Sequence, residues 1–202
     1  GARVTWKGDA IDIANSNGKY KSNSNTGYAT QKWATERRLD DNQEGYDFPV
    51  IRYAEVLLNY AEAVYERNGS ISDVDLNRSV NLVRNRVNKT MPKLTNAFAS
   101  ANGLDLRTEI RRERNIELYF EGFRRDDLIR WKTAETELPM DIQGIQWTGT
   151  AYETYWTGIR NNISNGIYRI ETGRRWQERN YLLPIPSQQI QLNTNLKQNA
   201  GW

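Results

Sequence analysis

Between Ala54 and Val87, apolar residues recur twice at helical spacing, and the two runs are joined by a link of about four residues. The first run is Ala54, Leu57, Leu58, Ala61, Val64 and Tyr65, with Gly69 placed to end it in the left-handed conformation. Asp47 suits its N-cap and Pro49 its first turn, where a missing N–H costs nothing. The second run opens at Ser72 or Asp73 and sets Leu76, Val80, Val83 and Val87 on one face. A link this short allows only antiparallel neighbours, so the spacing predicts a helical hairpin. Val50, Ile51, Tyr53, Val56 and Tyr60 widen the apolar face of the first helix, which predicts packing on two sides. Ala54, Ala61 and Ala63 leave room for a close neighbour.

The rest of the chain is organised around that hairpin. A third helix is predicted from Leu106 to Glu121, broken or kinked at Gly122, and a fourth from Arg125 to Thr136. Pro92 to Gly103 reads as a connection. Beyond Pro139 the pattern dissolves into Gly- and aromatic-rich sequence, with a short strand predicted over 167–171 and a turn of helix over 187–192. Residues 1–46 are polar and rich in Asn, Ser and Gly, which favour turns over regular elements. The 202 residues are therefore read as a single unit: an irregular lead-in (1–46), a helical region (47–136) and a loop-rich C-terminal region (137–202). Leu, Ile, Val and Phe make up only about a fifth of the chain, so the core must be lean.

Composition removes whole classes of function. There is no Cys and no His, so no thiolate nucleophile, no imidazole base and no soft metal cluster can be built. No catalytic residue, metal site or cofactor is expected. Lys and Arg total 28 against 25 Asp and Glu, and this surplus of three is too small to mark a nucleic-acid binder. No apolar run approaches the roughly 20 residues that span a bilayer. The start at Gly1-Ala2-Arg3 has no leader features, and the chain is expected to be a piece of a longer one.

The third helix carries the densest charge. From Arg107 to Arg130 there are seven Arg and six Asp or Glu, too balanced to track phosphates. Glu113, Glu117 and Glu121 stand at i, i+4 and i+8, on one stripe, where like charges repel unless cations intervene. The expected reading is a structural ion-pair network with Arg84, Arg86, Arg124 or Arg130 as partners. A catalytic carboxylate pair would need two of these glutamates in a cleft with separated pKa values. A di-metal site would want a Glu-x-x-His pair, which the chain cannot make.

A second cluster is aromatic. Trp147, Tyr152, Tyr155 and Trp156 fall within ten residues, in a stretch with few aliphatics. Flat rings beside Thr, Asn and Glu suit a pyranose, whose apolar face stacks while its hydroxyls meet polar groups. Trp147, Tyr155 and Trp156 are the expected ligand contacts. The alternative is that the loop folds its rings onto its own domain.

Read in order, several stretches resemble the SusD/RagB outer-membrane nutrient-binding lipoproteins: Asp47–Ala63 (DFPVIRYAEVLLNYAEA), Asn81–Arg86 (NLVRNR), Ile110–Gly122 (IRRERNIELYFEG) running into Arg124–Trp131 (RRDDLIRW), and Tyr181–Pro186 (YLLPIP) with Asn195–Trp202 (NLKQNAGW). Thr194 and Ala200 stand where that family tends to have Pro, and Gln189 where it tends to have Glu. The resemblance implies a mainly α fold, an α-α superhelix of tetratricopeptide-like hairpins with long loops and a few short strands. It implies cell-surface capture of a glycan or other nutrient oligomer, without catalysis, for delivery to a SusC-like TonB-dependent transporter. It also implies a lipid anchor at the outer membrane, in an N-terminal part that precedes residue 1. Two other classes compete. A tetratricopeptide-like protein-interaction scaffold would share the 50–88 hairpin but not the 181–202 ending. A carboxylate-only glycoside hydrolase would need Glu117 or Glu121 exposed in a cleft.

Overall fold

The computed structural model describes residues 2–3, 26, 28–30, 32, 49–150, 152–155 and 162–202. They belong to two compact units, residues 39–127 and residues 1–38 with 128–202.

The unit of residues 39–127 is helical. Helix α1 (Tyr53–Asn68) ends at Gly69, whose φ of 69° lets its N–H reach Tyr65 O at 2.8 Å. Two short helices, α2 (Asp73–Asn77) and α3 (Val80–Val87), return antiparallel to it. Ser72 caps α2 by accepting from Asp75 N–H. Then come α4 (Asn96–Ala101), capped by Thr95, and α5 (Leu106–Glu117), capped by Asp105. Their shared core is Ala54, Leu57, Leu58 and Ala61 of α1, Leu76, Val80 and Val83 of the return, and Ile71, Leu94 and Ile110. Asn81 ties the loop ahead of α4 by accepting from Leu94 N–H and donating to Leu94 O.

Four helix boundaries differ from the sequence expectation, each for a local reason. Helix α1 starts at Tyr53, with Pro49 outside it and the expected cap Asp47 outside the described residues. Arg52 is extended instead, and its guanidinium is occupied elsewhere. The expected second helix breaks at Ser79, whose buried hydroxyl donates to Asp75 O and competes with the helical ladder. The third stops at Glu117, and the chain turns through Phe120 and Gly122, both at positive φ. The fourth divides into α6 (Phe123–Arg130) and α7 (Ala134–Glu137) around Lys132, also at positive φ. Helix α4 falls inside the predicted connection. Val87 is exposed, as are Val50, Ile51, Tyr53 and Val56, so the second apolar face of α1 is not covered by the described residues.

In the other unit, β1 (Ala2–Arg3) pairs antiparallel with β2 (Ala29–Thr30). A second sheet, of strand order β3-β5-β4, holds β3 (Ile142–Gln146), β4 (Ile163–Ser164) and β5 (Ile167–Glu171), with the one-turn helix α8 (Tyr152–Tyr155) between its first two strands. Strand β5 is the one predicted over 167–171. Asn165 and Gly166, both at positive φ, form the two-residue turn that joins β4 to β5. Gly144 lies so close to Thr26 that an added Cβ would stand 2.5 Å from its carbonyl oxygen. A 3-10 turn (Glu178–Tyr181) and α9 (Ser187–Leu192) lead to a clasped ending. There Gln198 exchanges two hydrogen bonds with the backbone of Ile185, and the Trp202 indole N–H donates to Arg179 O and Leu182 O.

Leu58→Ala should cost about 2–5 kcal/mol in urea unfolding, because a wholly buried side chain leaves a cavity. Val56→Ala, on the exposed side of the same helix, should stay within about 0.5 kcal/mol.

Candidate functional site

Helix α5 presents acids and bases to both of its neighbours. Arg52, the residue before α1, forks onto Glu121, with Nε and Nη2 donating to the two carboxylate oxygens at 2.8 and 2.6 Å. Its Nη1 reaches Glu117 Oε1 at 2.9 Å, and its Nη2 also donates to the backbone carbonyl of Glu117 at 3.2 Å. That carbonyl is at the C-terminal end of α5, where a cation meets both an orphan acceptor and the negative end of the helix dipole. Hydrogen bonds donated to Glu121 first, and then to Glu117, hold the Arg52 guanidinium above its ordinary pKa. Glu117 accepts a further bond from Arg86 at 2.6 Å.

One turn back, Arg84 donates through Nε and Nη2 to Glu113 Oε1 at 2.9 and 2.6 Å, lies 3.9 Å from Glu109, and gives Nη1 to Pro92 O. Glu109 is also taken by Arg112. Arg114 donates to Asp127 at 2.7 Å and to Asn59 at 2.7 Å. Arg107 and Arg111 both reach Glu66.

The structure therefore brings Arg84 and Arg86 onto the stripe of Glu113, Glu117 and Glu121, all three half-buried. Arg124 is half-buried on α6, and the Arg130 guanidinium stands 4.8 Å over the Trp131 ring. Arg52, Glu109, Arg114 and Asp127 are parts of the grid that sequence reasoning missed. Arg52 could have been found from its place before the first apolar run, and Asp127 only from the fold. Glu117 accepts from two arginines and Glu121 from both arms of a third, so these carboxylates are committed to structure.

The aromatic segment lies in the unit of residues 1–38 and 128–202. Trp147 follows β3, where its N–H and that of Thr148 share Gly166 O. It is 6% exposed, and its indole Nε1 is buried without a hydrogen-bond partner among the described residues. An open pocket of about 590 Å³ is lined by Trp147, Glu153, Thr154 and Ile163. Tyr155 closes α8, and Trp156 lies outside the described residues. Among the described residues no group of three or more acidic, His or Cys side chains could hold a metal ion. No helix among them is long and apolar enough to cross a membrane.

Short helical hairpins locked by buried arginines, in a chain whose other unit holds a small three-stranded sheet, define a mainly helical scaffold of the SusD type. The chain belongs to the SusD family, whose description matches residues 7–202. A SusD-like protein from Bacteroides fragilis is 31% identical, with a TM-score of 0.53 over 76% of this chain and 25% of its own. The fold is also that of selenomethionine BT4246, at 24% identity and a TM-score of 0.60 over 78% of this chain and 25% of its own. The chain thus spans about a quarter of the solved relatives it matches. No curated protein matches it.

Arg84→Ala should destabilise by about 3–5 kcal/mol, since it strands Glu113 and Glu109 in a buried setting, whereas exposed Arg86→Ala should cost under about 1 kcal/mol. Chemical denaturation of both variants checks the contrast. A pH effect is also expected in the hairpin. Hydrogen bonds from Ser72, then Tyr60, with Arg78 adding to them, hold the Asp75 carboxyl down at about 2. A depressed carboxyl stabilises the fold above its unfolded pKa, and the contribution disappears as pH falls from about 4 to about 2. Asp75→Asn should flatten the unfolding midpoint across that window.

Proposed function

We propose that this chain is part of a cell-surface protein that binds a glycan or similar nutrient oligomer and passes it, unaltered, to a SusC-like TonB-dependent transporter. The observation that carries this reading is the SusD-family match over residues 7–202. On this reading the parent is held at the outer membrane by a lipid anchor in a preceding segment, and no cofactor takes part. The role is binding and not catalysis. That view is supported by the commitment of Glu117 and Glu121 to arginine pairs, which leaves them poor candidates for a general acid and its partner.

Ligand contact is proposed at Trp147, Tyr155 and Trp156. Trp147 supports this as a wall of the pocket beside Glu153 and Thr154, with a donor that has no partner among the described residues. Its burial makes it a poor stacking platform, so stacking is assigned to Tyr155 and Trp156. Glu153 and Thr154 supply polar groups of the kind that orient sugar hydroxyls.

Affinity gels containing soluble starch, xylan or galactomannan test the reading on the full-length parent. Retardation by one polymer is expected, with no release of shorter sugars. Tyr155→Ala or Trp156→Ala should each weaken retention by about 1 kcal/mol, a few-fold, with little change in melting temperature. Trp147→Ala should lower the melting temperature as well, because a buried ring is removed. Polymer turnover lost on Glu117→Gln would overturn the binding role, and unchanged retention in all three ring variants would move the site elsewhere.

A further inference from the structure

A groove of about 540 Å³ runs between α3, α4 and α5, and neither the nutrient reading nor the arginine grid accounts for its surface. Its walls are Val87, Met91, Phe98, Leu104 and Ile116. Val87 and Ile116 are 61% and 60% exposed, and Met91 is exposed too. An exposed valine on α3 and an exposed isoleucine on α5 thus face one cleft, and each leaves apolar area in water.

One wall of this groove comes from a segment that carries a single sign of charge. From Ser79 to Leu104 the chain carries Arg84, Arg86, Lys89 and Lys93 and no Asp or Glu at all. Arg86, Lys89 and Lys93 are exposed, and so is Arg112 across the cleft on α5, but Arg86 and Arg112 are already paired with Glu117 and Glu109. Lys89 and Lys93 make no ion pair among the described residues. Glu113 and Glu117 also line the groove, but their side chains are only 12% and 9% exposed and are held by Arg84 and by Arg52 and Arg86. An approaching molecule therefore meets an apolar floor edged by paired ions, with Lys89 and Lys93, cations unpaired among the described residues, at its rim.

We propose that this groove docks a peptide segment of a partner protein, one whose apolar side chains are flanked by carboxylates. The floor selects the apolar anchors, since Met adapts to irregular side chains and Val and Ile give a non-polar seat. The rim selects the flanking charge and makes the contact salt-sensitive. Among the described residues the aromatic wall is Phe98 alone, and it is half-buried, so they offer no open ring face for stacking a sugar. The pocket lies wholly within residues 83–117 and owes nothing to Trp147, Tyr155 or Trp156.

The test uses fluorescence anisotropy on this 202-residue chain with two labelled amphipathic peptides. One carries leucines at helical spacing with glutamates between them, and the other has lysines in place of the glutamates. The acidic peptide should bind and the basic one should not. Ile116→Asp should weaken binding about tenfold or more, as loss of a central apolar anchor does. Charge reversal at Lys89 and Lys93 together should weaken it several-fold and reduce its salt dependence. These side chains are exposed, so melting temperatures should hold and separate lost docking from lost fold. Equal binding of the two peptides, or no effect of Ile116→Asp, overturns the proposal. Competition by polygalacturonate with the same mutational pattern would reassign the groove to an anionic glycan. A concentration-dependent dimer abolished by Ile116→Asp would reassign it to a second copy of this chain.

Discussion

The forked pair between Arg52 and Glu121, with its extra bond to the carbonyl of Glu117, is the contact on which the helical unit depends. It joins the residue before α1 to the residues after α5, so it fixes where one helix begins and the other ends. The planar guanidinium suits this role, because five donors in a rigid fork can serve a carboxylate and a carbonyl at once. Lysine could not bridge both. The remaining pairs extend the same logic inward, from Arg86 to Arg84 to Arg114, with each arginine satisfied by more than one acceptor or by a carboxylate held in place by another. Buried ions repay their desolvation only under such conditions.

This reliance on ions follows from a lean composition. The core consists of small and medium aliphatics, with Ala54 and Ala61 of α1 facing inward while Ala63 is exposed, and no Phe or Trp at its centre. Close helix approach through Ala54 and Ala61 brings the flanking polar rows within reach of one another. The arginine grid is thus partly a product of the small residues. Where the alanines draw backbones together, long charged side chains from α5 can cross to α1 and α3.

Much of this architecture could be read from the residues, and the misses have identifiable causes. The hairpin was visible because its apolar positions keep a helical period and Gly69 ends it. The glutamate stripe was visible for the same reason. Arg52 was not, since nothing local distinguishes a tertiary partner from a solvated arginine. The break at Ser79 was hidden because a serine is tolerated within a helix unless its hydroxyl finds a backbone carbonyl. Asn165-Gly166 did carry a hairpin signal, one obscured by the aromatic residues around it. Strand β3 was obscured by its own composition, since Gln143, Gly144 and Gln146 give little strand preference. Its place comes from β5 and from the close approach of Thr26 to Gly144. For the proposed ligand contacts, the sequence indicated aromatics in excess of the local core, but the burial of Trp147 could emerge only from the fold.

The glutamates of α5 repeat every four residues, and that periodicity carries an ambiguity. Sliding the helix by one turn, about 5.4 Å, would move Arg84 from Glu113 to Glu117 or Glu109 and still leave opposite charges matched. Electrostatics alone would therefore let α5 ratchet along its neighbours between nearly equivalent positions. Three contacts do not repeat at that interval: the carbonyl of Glu117 held by Arg52, the Arg114 pair with Asp127, and the buried Ile110. They act as detents on an otherwise periodic track, so slippage of α5 is opposed by a terminus, one salt bridge and one aliphatic side chain.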